Sequence, residues 1–137
     1  LDEVGVRRRG EKLQSARERG WIRACHDISD GGLACTLAEM AFGGGLGFSV
    51  DLALLGLRNA LLGLAAEGGS RWVVEVEADK TTEFEGLLEG EPHVRLGVVA
   101  PRGGRFTWKS GIISSVDLDG LYAEWREGLN RARAAPP

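Results

Sequence analysis

The chain has 137 residues, enough for one compact domain, and 43% of them are hydrophobic, which suffices for a core. With 17 basic side chains against 20 acidic ones the net charge is only −3, so there is no field of the kind that gathers a polyanion, and nucleic acid is not the expected partner. No apolar run approaches the roughly 18 to 20 residues a bilayer span needs, and the amino terminus has no signal-peptide pattern, so the expected location is the cytosol with no membrane partner.

Residues 10–19 are charged with few apolar positions and read as an exposed helix closed by Gly20. The segment 1–20 is therefore expected to be a linker or exposed helix from an upstream module, with Arg7 to Arg9 on a solvated face and the domain proper over 21–130. Trp21 to Cys25 reads as a short strand. From Leu33, apolar residues recur at Leu37, Met40 and Ala41, the spacing of one helical face, and Gly43 to Gly45 stop that helix. Leu46 to Leu52 returns as a strand, and Leu57, Leu61, Leu62 and Ala65 give the stretch to Ala66 a helical period.

Trp72, Val74 and Val76 fall on one side of a further strand, with Arg71, Glu75 and Glu77 on the other and Val73 between them. Asp79 is placed to cap a helix carrying Phe84, Leu87 and Leu88. Val94, Leu96 and Val98 mark the next strand, and Pro101 to Gly104 turn the chain into a strand over Arg105 to Lys109. A last helix begins at Asp117 with the stripe Leu118, Leu121, Tyr122, Trp125 and Leu129, and the tail 131–137 is expected to fray. Strands alternating with helices predict an α/β (α+β) sandwich whose strand order stays open. Trp72, Trp108 and Trp125 are expected in the core. Cys25 and Cys35 form no Cys-x-x-Cys pair and read as reduced, buried thiols. The 21 glycines are about twice the usual ~7% share, and several of them, as in Gly43 to Gly45, Gly68-Gly69 and Gly103-Gly104, sit where elements should end and read as turn punctuation.

One stretch stands apart: Cys25-His26-Asp27-Ile28-Ser29-Asp30-Gly31-Gly32-Leu33-Ala34, which joins a strand to a helix through two carboxylates, a hydroxyl and two glycines. Asp27 and Asp30, three apart across a turn, can face one point, and hard oxygen ligands suit Mg²⁺ completed by water and phosphate. Gly31 and Gly32 at the helix start offer backbone N–H groups to an anion, helped by the helix dipole. The same residues also fit a plain helix start, with Ser29 or Asp30 as N-cap. His26 can orient a carboxylate or simply pack at the strand end. A second segment, Glu67-Gly68-Gly69-Ser70-Arg71, can cradle phosphate with backbone donors and a guanidinium fork, or form a helix C-cap followed by a strand-entry arginine.

The His26 to Leu33 wording resembles the carboxy-terminal domain of the AIR-synthetase-related superfamily of ATP-using enzymes, and within it is most similar to the phosphoribosylformylglycinamidine synthases. Further resemblance lies in Leu46-Gly47-Phe48-Ser49-Val50-Asp51-Leu52, Glu67 to Val74, Leu96-Gly97-Val98-Val99, Leu121 and Trp125, so it covers about residues 20 to 130. The resemblance implies a mixed sheet covered by helices with some ferredoxin-like topology. It also implies a ligase that uses ATP and glutamine-derived ammonia to amidate formylglycinamide ribonucleotide, with magnesium and ATP or ADP as cofactors of the full enzyme. The implied partners are the amino-terminal modules of the same synthase, a glutaminase subunit and a small accessory subunit.

By analogy with the family's first carboxy-terminal copy, Asp27 faces a second nucleotide site that in larger members holds a structural ADP with magnesium. That assigns Asp27 and Asp30 to metal and Ser29, Gly31, Gly32, Glu67, Gly68, Gly69, Ser70 and Arg71 to nucleotide or phosphate. No catalytic residue is assigned, because the family's ATP- and substrate-handling residues are expected in modules this sequence does not resemble. The chain is accordingly expected to be a piece of a longer enzyme, inactive alone. Two other readings stay open: another enzyme of the superfamily, of the hydrogenase-maturation or thiamine-phosphate kinase type, and a purely structural interaction domain.

Overall fold

In the computed structural model, which describes residues 2–134 apart from the side chains of Leu129 and 132–134, the chain opens with a long helix, α1 (Glu3–Glu18). Asp2 caps it by accepting from the Gly5 amide at 3.0 Å. Its composition is charged throughout, so its stability comes from what it touches. Ala16 is fully buried, and Leu13 packs with it against Phe84 and Leu88. Arg8 forms a two-pronged ion pair with Glu91, whose side chain is only 3% exposed, while Arg9 Nη1 lies 3.6 Å and Lys12 Nζ 3.8 Å from the same carboxylate. Residues 2–20 are thus fastened to the domain and do not hang from it as a linker, and the Arg7 to Arg9 run is not simply a solvated face.

After Gly20 the chain enters β1 (Ile22–Asp27), which pairs antiparallel with β3 (Trp72–Val76) as a two-stranded ribbon. Ile22, Val74 and Val76 on one side meet α1 and α4 (Thr81–Leu87), whereas Val73 turns inward to the main core under α2 (Gly32–Gly44). A separate four-stranded sheet has the order β4-β2-β5-β6, with β2 (Gly47–Asp51) between β4 (Gly97–Ala100), antiparallel to it, and β5 (Gly104–Trp108), parallel to it. The expected α/β sandwich with a mixed sheet is present, divided into a ribbon and a sheet.

β6 (Gly111–Val116) pairs with β5 and has no counterpart in the sequence reading. Its adjacent Ile112 and Ile113 break strict alternation, and the ladder shifts register there, as a bulge requires. The turn before it uses Lys109 and Ser110, both at positive φ, where the usual asparagine or glycine signal is missing. Asp79 does not cap α4: it sits in a 3₁₀ turn, Ala78–Lys80, and its carboxylate lies 3.6 Å from Lys80 Nζ. The helical stretch expected from Leu57 is shorter, α3 (Ala60–Ala65), because Asn59 caps it through the Leu62 amide at 2.9 Å.

Ile28, Leu33, Leu37, Phe48, Val50, Leu52, Phe106 and Leu118 form the main core, with the Phe48 and Phe106 rings edge to face at 5.1 Å. The last helix, α5 (Leu118–Ala134), runs past Asn130 into the segment expected to fray, and 135–137 lie outside the described residues. Leu118 anchors it, and Tyr122 and Trp125 lean on Phe42 of α2 with centroids 5.2 and 5.7 Å away. Trp125 remains 46% exposed, so it is a surface residue and not a core one, whereas Trp108 packs against the core and Trp72 is half-buried. Cys25 and Cys35 are free, as expected, but both are exposed. No helix among the described residues is long and apolar enough to cross a membrane.

Candidate functional site

The site grows from the end of β1. Pairing with the segment before β3 continues one residue past the strand, where the Ile28 amide donates to the Arg71 carbonyl at 2.9 Å. Ile28 then drops into the core, and the chain reverses through Ser29 and Asp30, both exposed. Gly31 and Gly32 follow at φ 79° and 66°, two successive left-handed residues, and α2 begins. A Cβ on Gly32 would lie 2.6 Å from the Leu64 carbonyl oxygen, so only glycine lets the helix start this close to the end of α3.

Neither Ser29 nor Asp30 caps α2. The N-cap is Gly31, without a side-chain bond of its own, and the Glu67 carboxylate accepts from its amide at 3.0 Å. The Gly32 amide donates to the Ser29 carbonyl at 3.0 Å. Both N–H groups expected to await an anion are therefore already engaged, one of them by a carboxylate that sits where the helix dipole favours negative charge.

That contact joins the two segments singled out in the sequence. Glu67 reaches Gly31, and Arg71 reaches Ile28 through its backbone, so residues 27–32 and 67–71 form one corner between the start of α2 and the end of α3. The Arg71 guanidinium donates from Nη2 to the Ala66 carbonyl, closing the loop after α3. Ser70 holds a left-handed φ of 67° in the same loop, and Glu67, Gly68 and Gly69 lie on the surface.

Two residues the sequence did not single out, Glu39 and Thr36, complete the arrangement around His26 and Asp27. His26 Nδ1 lies 2.7 Å from the Asp27 carbonyl oxygen and 3.6 Å from Asp27 Oδ1, while its Nε2 lies 3.2 Å from Glu39 Oε2 on α2. Thr36, one turn earlier on α2 and 2% exposed, places its hydroxyl 3.0 Å from the Gly32 carbonyl and 3.3 Å from that of Asp27. The only signal for either was a polar residue three or four positions apart within an otherwise apolar helix.

The corner is rich in carboxylates: Asp27, Asp30 and Glu67, with Glu39 behind them. Asp27 is 66% exposed. Hard oxygen donors on an open surface fit a cation that keeps most of its own water and phosphate ligands. Among the described residues no group of three or more His, Cys, Asp or Glu side chains gathers as a complete metal cage. Two hollows flank the ribbon. One of about 260 Å³ lies between α1 and β1, lined by Leu13, Arg17, Cys25 and Trp72, and one of about 620 Å³ lies beside His26, Met40 and Glu75. Neither is lined by residues 27–32 or by Glu67 to Arg71, and at the corner Asp27, Asp30, Gly31 and Glu67 are exposed. Cys25 lines both hollows, and the loss of water there pushes its thiol above its ordinary range, with the Asp27 charge adding to the shift.

Comparison with known proteins gives a consistent result. Residues 2–109 match the family model described as AIR synthase related protein, C-terminal domain. The chain is 41% identical over 127 residues to the phosphoribosylformylglycinamidine synthase subunit PurL of Synechococcus sp., covering 89% of this chain and 16% of that protein. It is 34% identical over 112 residues to PurL of Thermoplasma acidophilum, covering 80% and 14% respectively. Among solved structures it resembles Thermotoga maritima PurL complexed with FGAR, with a TM-score of 0.72 at 20% identity over 82% of this chain and 20% of that one. The same protein complexed with ADP gives 0.72 at 19% identity. The chain thus spans about a sixth of the length of the curated relatives it matches.

Proposed function

The chain belongs to the AIR synthase related C-terminal domain family, and from that premise we propose that it acts as the carboxy-terminal domain of a phosphoribosylformylglycinamidine synthase. The observation that carries this reading is the 41% identity across 89% of the chain to a PurL subunit. The reaction is the ATP-dependent amidation of formylglycinamide ribonucleotide by glutamine-derived ammonia, giving the amidine, ADP and phosphate. The domain, over 21–130 together with its packed α1, completes a cleft with the amino-terminal modules of the same synthase. A glutaminase subunit supplies ammonia and a small accessory subunit joins the complex, which is the assembly suggested by a relative described as PurLQS from Thermotoga maritima. The expected location is the cytoplasm.

Within that enzyme this chain supplies no reacting group. Its open corner is offered to a magnesium nucleotide. Asp27 and Asp30 are the residues that would hold magnesium, and the ion's contribution when bound is to neutralise the phosphate oxygens beside it. Ser29, Gly31, Gly32 and the loop Glu67 to Arg71 form the wall behind those carboxylates. With both glycine amides engaged, the corner contributes negative charge and shape to a metal–phosphate group and is unsuited to a bare phosphate. Support for the nucleotide comes from Thermotoga maritima PurL complexed with ATP and with ADP.

Titrating the chain with Mg-ADP by calorimetry, with Asp27→Asn as comparison, tests this. Binding that weakens in Asp27→Asn is the expected result; no binding, or binding indifferent to the substitution, would remove the metal-corner assignment. The chain alone is expected to show no amidation activity.

A further inference from the structure

The stripe along α5 stays partly uncovered among the described residues. We propose that this face binds a second copy of the same chain, α5 against α5 in antiparallel orientation across a twofold axis. The contact goes beyond the corner reading and needs neither magnesium nor nucleotide.

Leu118 sinks into the core, but Leu121, Tyr122 and Trp125 remain 42%, 39% and 46% exposed. Tyr122 and Trp125 stack with centroids 6.1 Å apart, and both lean on Phe42 of α2, so the three rings form one platform fixed on two helices. Arg126 borders it, with its guanidinium 5.8 Å from the Tyr122 ring centre. Tryptophan, tyrosine and arginine are the residues that carry most of the energy of protein–protein contacts. On the opposite side of the helix, Arg131 lies 3.8 Å from Glu124 and 4.0 Å from Glu127, so those charges are already matched within the chain.

The charges that border the stripe identify the partner. Leu118, Tyr122 and Trp125 follow the four-then-three spacing of a helix-pairing seam, with Leu118 and Trp125 equivalent places seven apart. Asp119 and Arg126 each come one residue after these, so they stand on one flank of the seam with opposite charge. In an antiparallel pair of identical helices, residues of the same flank face each other. Asp119 of one copy then meets Arg126 of the other, twice over because the contact is twofold. In a parallel pair that flank faces the opposite one, which holds Leu121 and Gly128 and no charge to answer it. Charge complementarity therefore selects both a second copy and its orientation. Asp119 is 80% exposed and pairs within the chain with Arg102 at 3.0 Å, a surface contact that costs little to exchange.

Sedimentation equilibrium of the 137-residue chain tests this, under reducing conditions that keep the two exposed cysteines from joining copies. A monomer–dimer equilibrium with a Kd on the order of 10 μM is expected, the strength of a contact smaller than the roughly 1,200 to 2,000 Å² of stable complexes. Trp125→Glu is expected to abolish the dimer with the circular dichroism unchanged. Asp119→Arg leaves two arginines on the flank and Arg126→Asp leaves two aspartates, and each is expected to weaken self-association about tenfold. Mixed together, the two variants should pair with each other about as tightly as the wild type pairs with itself, which no effect confined to one chain can produce.

A wild-type chain that stays monomeric at about ten times that Kd leaves the platform to some other partner and overturns the proposal. A dimer that survives Trp125→Glu does the same, and so do mixed variants that associate no more tightly than either alone. Asp119 and Arg126 are both exposed, so the mixing result decides the matter even where Trp125→Glu fails to fold.

Discussion

Gly32 shows what a single residue decides here. Its φ of 66° is one that L side chains rarely adopt, and an added Cβ would meet the Leu64 carbonyl oxygen at 2.6 Å and the Ala65 carbonyl carbon at 2.8 Å. Gly32→Ala is expected to destabilise the chain by at least about 1 to 3 kcal/mol, read from the urea midpoint at unchanged slope. The need for glycine at this turn was legible in the sequence, and so was the pairing of two carboxylates beside it. The partner of the Gly31 amide was not, because Glu67 lies 36 residues away and its sequence neighbourhood reads equally well as a phosphate loop. Distance along the chain also hid the contact of Glu39 with His26, which appears only once α2 is laid against the end of β1.

At the scale of elements, the attachment of α1 combines the apolar contacts of Ala16 and Leu13 with one buried carboxylate, Glu91. The hydrogen bond from Arg8 holds the Glu91 carboxyl below its ordinary value of 4.5, opposed by burial and aided by the charges of Arg8, Lys12 and Arg9. A depressed folded pKa means a contribution that is complete above 4.5 and is lost as the pH falls from there toward the lowered value. The thermal midpoint should therefore drop on acidification more steeply in the wild type than in Glu91→Gln, which is less stable at neutral pH; equal acid slopes would show that the cluster contributes nothing. α5 offers a second contrast. Leu118 is 7% exposed and Trp125 46%, so Leu118→Ala should cost about 2 to 5 kcal/mol and Trp125→Ala clearly less, compared by denaturant unfolding. The helical period of α5 was plain in the sequence, but a stripe of large apolar residues does not reveal whether anything covers it. β6 escaped notice for the opposite reason, since a bulge and a turn without glycine erase the two signals by which strands and hairpins are read.

For the molecule as a whole, alternation of strands and helices sufficed to reach the fold class, whereas the partition into a ribbon and a four-stranded sheet depends on pairings that no local pattern encodes. The division matters for the corner: it lies where the ribbon, α2 and α3 meet, outside both hollows. The order β4-β2-β5-β6 also has a kinetic side. β2 is made early, yet both strands that flank it come from residues 97–108, so the two edges of Gly47–Asp51 and the apolar faces of Phe48 and Val50 wait until those residues have followed. Closing so long a loop precedes any reward from pairing, which makes this step the natural determinant of folding speed. Until it happens, β2 is an unpaired apolar strand on a growing polypeptide, the segment most in need of protection from neighbouring chains.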